Sequence, residues 1–268
     1  VEAIGRGIAL TRQLAAEGYG LVATGEMGIG NTTTSSAVAA VLLAQPVQTM
    51  TGRGAGLSDA GLARKVDTIR RGIACNVPNP DDVLDVLSKL GGFDIAGLCG
   101  MFLGGALAGV PVLMDGFISG VAALCAVRLC PAASKAVFAS HCSTEPAARL
   151  VLEALGKTPL LTAGLHLGEG TGAVASIPLW DMALAVYEGA IPLRRAALRR
   201  IRPNADAGTG RRCQRQSEYA EALVLRSALP RYYLATMQVW DAECAAGWKS
   251  TAKCALRSSL RPSNVRCI

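Results

Sequence analysis

Two glycine-rich loops and one isolated carboxylate carry the chemistry legible in this sequence. The first loop, Gly25-Glu26-Met27-Gly28-Ile29-Gly30-Asn31-Thr32, opens a helix with a run of threonines. Glycines let backbone amides approach an anion, and a helix start adds partial positive charge. The loop has no P-loop lysine, and its G-x-x-G-x-G order is not the dinucleotide G-x-G-x-x-G. An anion site and a plain capped turn fit this pattern equally well. The second loop, Thr51-Gly52-Arg53-Gly54-Ala55-Gly56-Leu57, precedes a helix with Asp59, Arg64 and Lys65. Lys65 is spaced to put a positive charge on a phosphate, but pattern alone favours a solvated helix face. The carboxylate is Glu169, in Gly168-Glu169-Gly170-Thr171-Gly172. Between glycines it has little shielding, which suits a general base contributing ~10²–10⁴-fold. A helix dipole also favours an acid there without any catalysis. Glu26 has the same two readings. His141 and His166 are the only histidines. Strand neighbours point to opposite faces, so His141 and Cys142 make a poor nucleophile–base pair. Both histidines read as structural.

A scaffold must bring these loops together, and one pattern recurs. A short apolar strand runs into a polar or glycine-rich loop, then an alanine-rich helix. Strands are expected at Tyr19–Thr24, Val110–Met114, Ala136–Ala139 and Leu160–Leu165. Their helices end near Leu43, Leu129, Leu155 and Tyr187. Alternation of this kind implies a parallel sheet with crossover helices on both faces. Ligands of such sheets bind beyond the carboxyl ends of the strands. Glu26, Asp115, Ser143, Glu145 and Glu169 all fall there.

The 268 residues are 51% apolar and 18% charged, which excludes a disordered chain. The net charge of +7 is uneven. Residues 1–188 hold 12 Lys/Arg against 15 Asp/Glu, a net of −3, and residues 189–268 hold 15 against 5, a net of +10. Nine cysteines without a C-x-x-C argue against a zinc knuckle and for a reducing compartment. Ile95 to Met114 is a 20-residue run without charge. Its five glycines, Pro111 and flanking Asp94 and Asp115 argue against a membrane span. It reads instead as a small-residue helix, a turn at Gly109 and a strand. Val1, Ile4, Ile8 and Leu14 follow helical spacing with no cap before them, as expected of a chain that starts within an element.

Taken in order, the motifs resemble a known family. They are the Gly25–Thr33 loop, Thr51–Leu57 with Leu62-Ala63-Arg64-Lys65, and Asp85-Val86-Leu87-Ser88-Lys89-Leu90-Gly91-Gly92 after Pro80. Asp115-Gly116-Phe117-Ile118-Ser119, Ser140-His141-Cys142-Ser143-Thr144-Glu145-Pro146 and Leu167–Ala173 follow. The set is similar to nicotinate-nucleotide–dimethylbenzimidazole phosphoribosyltransferase, over roughly the second half of the family pattern. The resemblance implies an α/β fold with a Rossmann-like, doubly wound parallel sheet, here N-terminally truncated and followed by a non-family tail. It implies a cytoplasmic homodimer with no membrane or nucleic-acid partner. The implied reaction moves the phosphoribosyl group of nicotinate mononucleotide to 5,6-dimethylbenzimidazole, without cofactor or metal. The resemblance makes Glu169 the base and puts Leu167 in the benzimidazole pocket. It puts Glu26 near ribose and nicotinate, and Gly28, Gly30, Lys65 and Ser143 around the phosphate. Asn31, Thr32 and Asp115 are further expected substrate contacts. A nucleotide-binding α/β domain without this activity is the alternative.

Residues 189–268 read differently. Arg194-Arg195, Arg199-Arg200 and Arg211-Arg212 among Tyr and Trp suggest RNA binding only superficially. Enrichment in Arg, Ala, Cys and Ser is also what GC-rich DNA gives out of frame. The expectation is a catalytic region over 1–188 and an irregular or out-of-frame tail over 189–268.

Overall fold

A computed structural model describes residues 1–189. The tail beyond them, with its expected irregularity, lies outside the described residues. The first compact unit covers Val1–Ala175, and the described part of a second begins at Ser176.

The chain starts with α1 (Glu2–Ala16), whose buried stripe is Ile4, Gly7, Thr11 and Leu14. That three-and-four spacing is one helix face. Gly18 then turns the chain with φ at +93°. β1 (Val22–Ala23) leads through the first glycine loop to α2 (Asn31–Leu42) and α3 (Val47–Met50). α4 (Asp59–Asn76) is capped by Ser58, whose Oγ accepts from Gly61 N at 3.2 Å. α5 (Val83–Leu90) is capped by Asp82, which accepts from the amides of Leu84 and Asp85. Such caps satisfy amides that the first helical turn leaves unpaired. α6 (Phe93–Ala108) ends at Gly109 in the left-handed region, as its glycine suggests. β2 (Val112–Met114), α7 (Phe117–Leu129), a 3-10 turn (Pro131–Ala136) and β3 (Val137–Ala139) follow. Then come α8 (Ala148–Leu155) and α9 (Thr171–Gly189). The described part of the second unit is the remainder of α9 from Ser176, which has Pro178 inside it.

The three strands form one parallel sheet in the order β1-β2-β3, with Val22 opposite Val112 and Leu113 opposite Phe138. The expected parallel α/β architecture is therefore present, with shorter strands. One expectation needs correction. Leu160–Leu165 is not a strand; Leu161 alone makes a parallel bridge, to His141. Gly164, at φ +66°, takes the backbone out of extended conformation, and beyond it Thr144 N donates to Leu165 O at 3.2 Å without a regular ladder.

The charge-free run is α6 and β2. Ile95, Leu98, Met101 and Phe102 are buried in the core with Val112, Val121 and Leu124. No helix among the described residues is long and apolar enough to cross a membrane. The α6 glycines serve close packing on α1. A Cβ on Gly100 would overlap the carbonyl oxygen of Ile4, and one on Gly104 would lie 2.9 Å from Ile8 O. Thr11, fully buried in this seam, donates from Oγ1 to the helix carbonyls around it, Met101 O at 3.3 Å among them. Gly97, on the same helix, faces open space: a Cβ there would meet nothing within 4 Å.

The pair makes a test. Gly100→Ala is expected to destabilise by about 1–3 kcal/mol through overpacking, lowering Tm by roughly 2–4 °C per kcal/mol. Gly97→Ala is expected to stabilise by about 0.5–1 kcal/mol, the helix-interior cost of glycine. Thermal melts that show equal shifts would refute the seam.

Candidate active site

Three loops at the carboxyl ends of the strands are locked together by backbone contacts. After β1, Thr24 is fully buried and donates from Oγ1 to Leu113 O at 2.8 Å. The next residue, Gly25, lies against the loop before α9. A Cβ there would sit 2.7 Å from Gly170 N and 2.9 Å from Gly170 Cα. Glu169 N then donates to Glu26 O at 2.6 Å.

Asp115, just after β2, anchors that loop. Its Oδ2 accepts from Gly170 N and its Oδ1 from Ala173 N, both at 3.0 Å. Burial pushes this carboxyl up; the amides of Ala173, Gly170 and Gly172 and the nearby His141 pull it down. Asp115 is wholly buried, so it stands behind the site rather than in its wall. His141 lies 3.9 Å from Asp115 through Nδ1 and is wedged against Gly172, where any Cβ would overlap the imidazole. Ser140 Oγ sits 3.0 Å from the same Nδ1 and donates to Met114 O at 2.6 Å. Burial pulls His141 down, which favours a neutral ring. His166 is exposed and outside this network.

Glu26 is 5% exposed. Its Oε2 accepts from Gly28 N at 2.6 Å and Asn31 Nδ2 at 3.0 Å. Asn31 Nδ2 also reaches Asp94 Oδ2 at 3.0 Å, while Asn31 Oδ1 is buried without a partner. Burial raises the Glu26 carboxyl to about 7, against the Asn31 and Gly28 hydrogen bonds and with help from Asp115 and Asp94. Glu169 is half-buried beside it, with φ at +56°, a left-handed conformation uncommon for a side chain of this length.

A pocket of about 310 Å³ opens on the other side of the first loop. Gly28, Gly30 and Thr32 line it with Arg53, Gly54 and Lys65. Lys65 is buried, and its Nζ donates to Thr32 Oγ1 and Gly52 O, each at 3.0 Å. Arg53 donates to Leu57 O at 2.8 Å and pairs with Asp59. Amides, a hydroxyl and two cations in one concavity suit a phosphate.

The expected residues therefore fall into groups. Gly28, Gly30, Thr32 and Lys65 share the pocket; Glu26 and Asn31 form the adjoining acid network; Glu169 borders it. Ser143 lies across from Gly116 and accepts from Glu145 N at 3.3 Å, outside the pocket lining. Leu167 is 63% exposed. Arg53 and Asp94 were not among the expected contacts. Arg53 lies within the second glycine motif, whereas Asp94 shows in the sequence only as the flank of an apolar run. Among the described residues, no three His, Cys, Asp or Glu converge to hold a metal ion.

The Glu26 carboxyl predicts a pH dependence. Between 4.5 and about 7 the folded chain keeps a proton that the unfolded chain releases. Stability then falls as pH rises through that interval, by about 3 kcal/mol in all. Glu26→Gln should flatten this slope in urea unfolding at pH 5 and 7.5. An unchanged slope would reject the assignment.

The phosphoribosyltransferase family pattern (DBI_PRT) matches residues 1–197, past the break expected near Glu188. Nicotinate-nucleotide–dimethylbenzimidazole phosphoribosyltransferase of Acetivibrio thermocellus is 47% identical over 203 residues, covering 76% of this chain and 58% of that protein. The protein of the same name from Roseiflexus castenholzii is 49% identical over 187 residues, covering 70% and 53%. The crystal structure of CobT from Thermus thermophilus matches with a TM-score of 0.66 and 41% identity, covering 69% of this chain and 56% of that one. The chain spans about half the length of the curated relatives it matches. By sequence pattern and by fold, it belongs to the DBI_PRT phosphoribosyltransferase family.

Proposed function

We propose that residues 1–188 are the catalytic region of a nicotinate-nucleotide–dimethylbenzimidazole phosphoribosyltransferase. The substrates are nicotinate mononucleotide and 5,6-dimethylbenzimidazole, and the products are alpha-ribazole 5'-phosphate and nicotinate. The observation that carries the reading is the glycine-lined pocket with buried Lys65, next to the Glu26–Glu169 loops. The names of the matched relatives support it.

In this reading the phosphate of the mononucleotide takes the Gly30 amide, the Thr32 hydroxyl and the Lys65 ammonium, and Gly28, whose amide is held by Glu26, borders it through its backbone. Ser143 approaches from the β3 side. Glu26, oriented by Asn31, faces the ribose and nicotinate. One benzimidazole nitrogen attacks the anomeric carbon. The bond from that carbon to the pyridinium nitrogen breaks, and its electron pair neutralises the departing nicotinate. The pyridinium already carries positive charge, so departure needs no acid. The attacking base must lose the proton on its other nitrogen, and Glu169 takes it. Asp115 supports this step indirectly, by holding the amides of Gly170 and Ala173. Leu167, exposed beside Gly168, gives an apolar edge for the benzimidazole. A Rossmann-like sheet, a homodimer and a cytoplasmic setting complete the proposal.

The test is formation of alpha-ribazole 5'-phosphate from the two substrates, on this chain and on a full-length family member carrying the matching substitution. Glu169→Gln is expected to lower kcat by ~10²–10⁴-fold while mononucleotide affinity stays within a few-fold. Unchanged turnover would remove Glu169 as the base. Tight mononucleotide binding without product would leave the nucleotide-binding reading in its place.

A further inference from the structure

Glu145 is a charged group that the proposed chemistry does not use. It follows Ser143 in the turn before α8, and its Oε2 is buried without a hydrogen-bond partner. That oxygen is sealed from solvent, so no ligand hydroxyl reaches it. The carboxyl is pressed onto Gly52: a Cβ at Gly52 would overlap Oε2 and come within 2.7 Å of Pro146 Cδ. The carbonyl of the same glycine accepts from Lys65 Nζ at 3.0 Å. Glu145 and Lys65 thus meet on one residue without a hydrogen bond between them.

Burial pushes the Lys65 ammonium down, and the charge of Glu145 pushes it back up. The other elements around α4 offer no competing counter-charge. α2 and α3 carry no charged residue. On α5, Asp85 and Lys89 pair with each other at 2.9 Å. In the loop, Arg53 is held by Asp59 and Leu57 O. Two of the three ammonium N–H groups go to Thr32 and Gly52, and the third is left for a phosphate oxygen.

We propose that Glu145 is a positioning residue of the anion pocket. Through Gly52 it holds the Lys65 ammonium in the pocket wall, and it supplies counter-charge to the buried cation until a phosphomonoester arrives. The phosphomonoester part rests on the function proposed above; the effect on Lys65 does not. Gly52 is required because a larger residue would separate the two groups.

Lys65 can be followed directly in the ligand-free chain by NMR of protein labelled with carbon-13 lysine, which leaves all three ammonium N–H groups in place. Its signal is assigned by its loss in Lys65→Arg. Its titration midpoint is expected to fall by about one pH unit in Glu145→Gln, as for a lost counter-charge near a buried lysine. Glu145→Asp, which keeps the charge, is expected to restore most of it. A midpoint unmoved by Glu145→Gln overturns the proposal, and so does an equal fall in Glu145→Asp. Nicotinate mononucleotide titrations separate this result from the functional reading. Glu145→Gln is expected to bind within about twofold of the unsubstituted chain at pH 6.5 and progressively more weakly as pH approaches the Lys65 midpoint. A loss that does not grow with pH overturns the counter-charge role. Failure of the unsubstituted chain to bind the nucleotide overturns the function proposed above, and the Lys65 midpoint then decides the role of Glu145 alone.

Discussion

The arrangement of the site depends on one buried carboxylate. Asp115 ties the end of β2 to a loop 55 residues later by accepting the amide of Gly170. Releasing that loop would leave both carboxyl oxygens in the interior without the amides of Gly170 and Ala173, at about 1–3 kcal/mol for each group left unsatisfied. The constraint propagates outward. Gly172 must be a glycine to admit His141 beside the anchor, and Gly25 must be one to let the first loop touch Gly170. With these contacts made, Glu26 and Glu169 have fixed neighbours before any ligand arrives. The bond from Glu169 N to Glu26 O then joins the two acid-bearing loops directly.

Charge is handled locally throughout this region. Residues 1–188 carry a net of −3, yet they form a pocket suited to an anion. Two glycine loops provide amides, and Lys65 and Arg53 provide the cations. The acids lie on the far side of the first loop, where burial raises Glu26 to about 7 and so reduces its repulsion of an incoming phosphate near neutral pH. A whole-chain charge of +7 gives no hint of this division.

Legibility in the sequence followed the range of the interactions. Apolar runs announced β2 and β3, and Gly109 announced the end of α6, because those are local signals. The loops that bear Glu26, Lys65 and Glu169 were visible as glycine motifs. Their separate functions were not; resemblance to a family supplied those expectations. Leu160–Leu165 read as a strand because its residues are apolar, but the left-handed turn at Gly164 interrupts the extended backbone and leaves one bridge in place of a ladder. Asp94 was invisible as a site residue because its partner Asn31 is 63 positions away. The packing of Glu145 on Gly52 was hidden for the same reason: nothing within either motif points to the other.

The backbone at Glu169 carries a further consequence. Its left-handed φ of +56° is a conformation that glycine adopts without steric cost and a glutamate holds at about 1 kcal/mol or more. Replacing Glu169 by glycine would relax the loop and remove the carboxyl together. Selection for thermal resistance and selection for turnover therefore pull this position in opposite directions. Laboratory evolution guided by melting temperature alone would discard the very side chain on which the proposed chemistry turns.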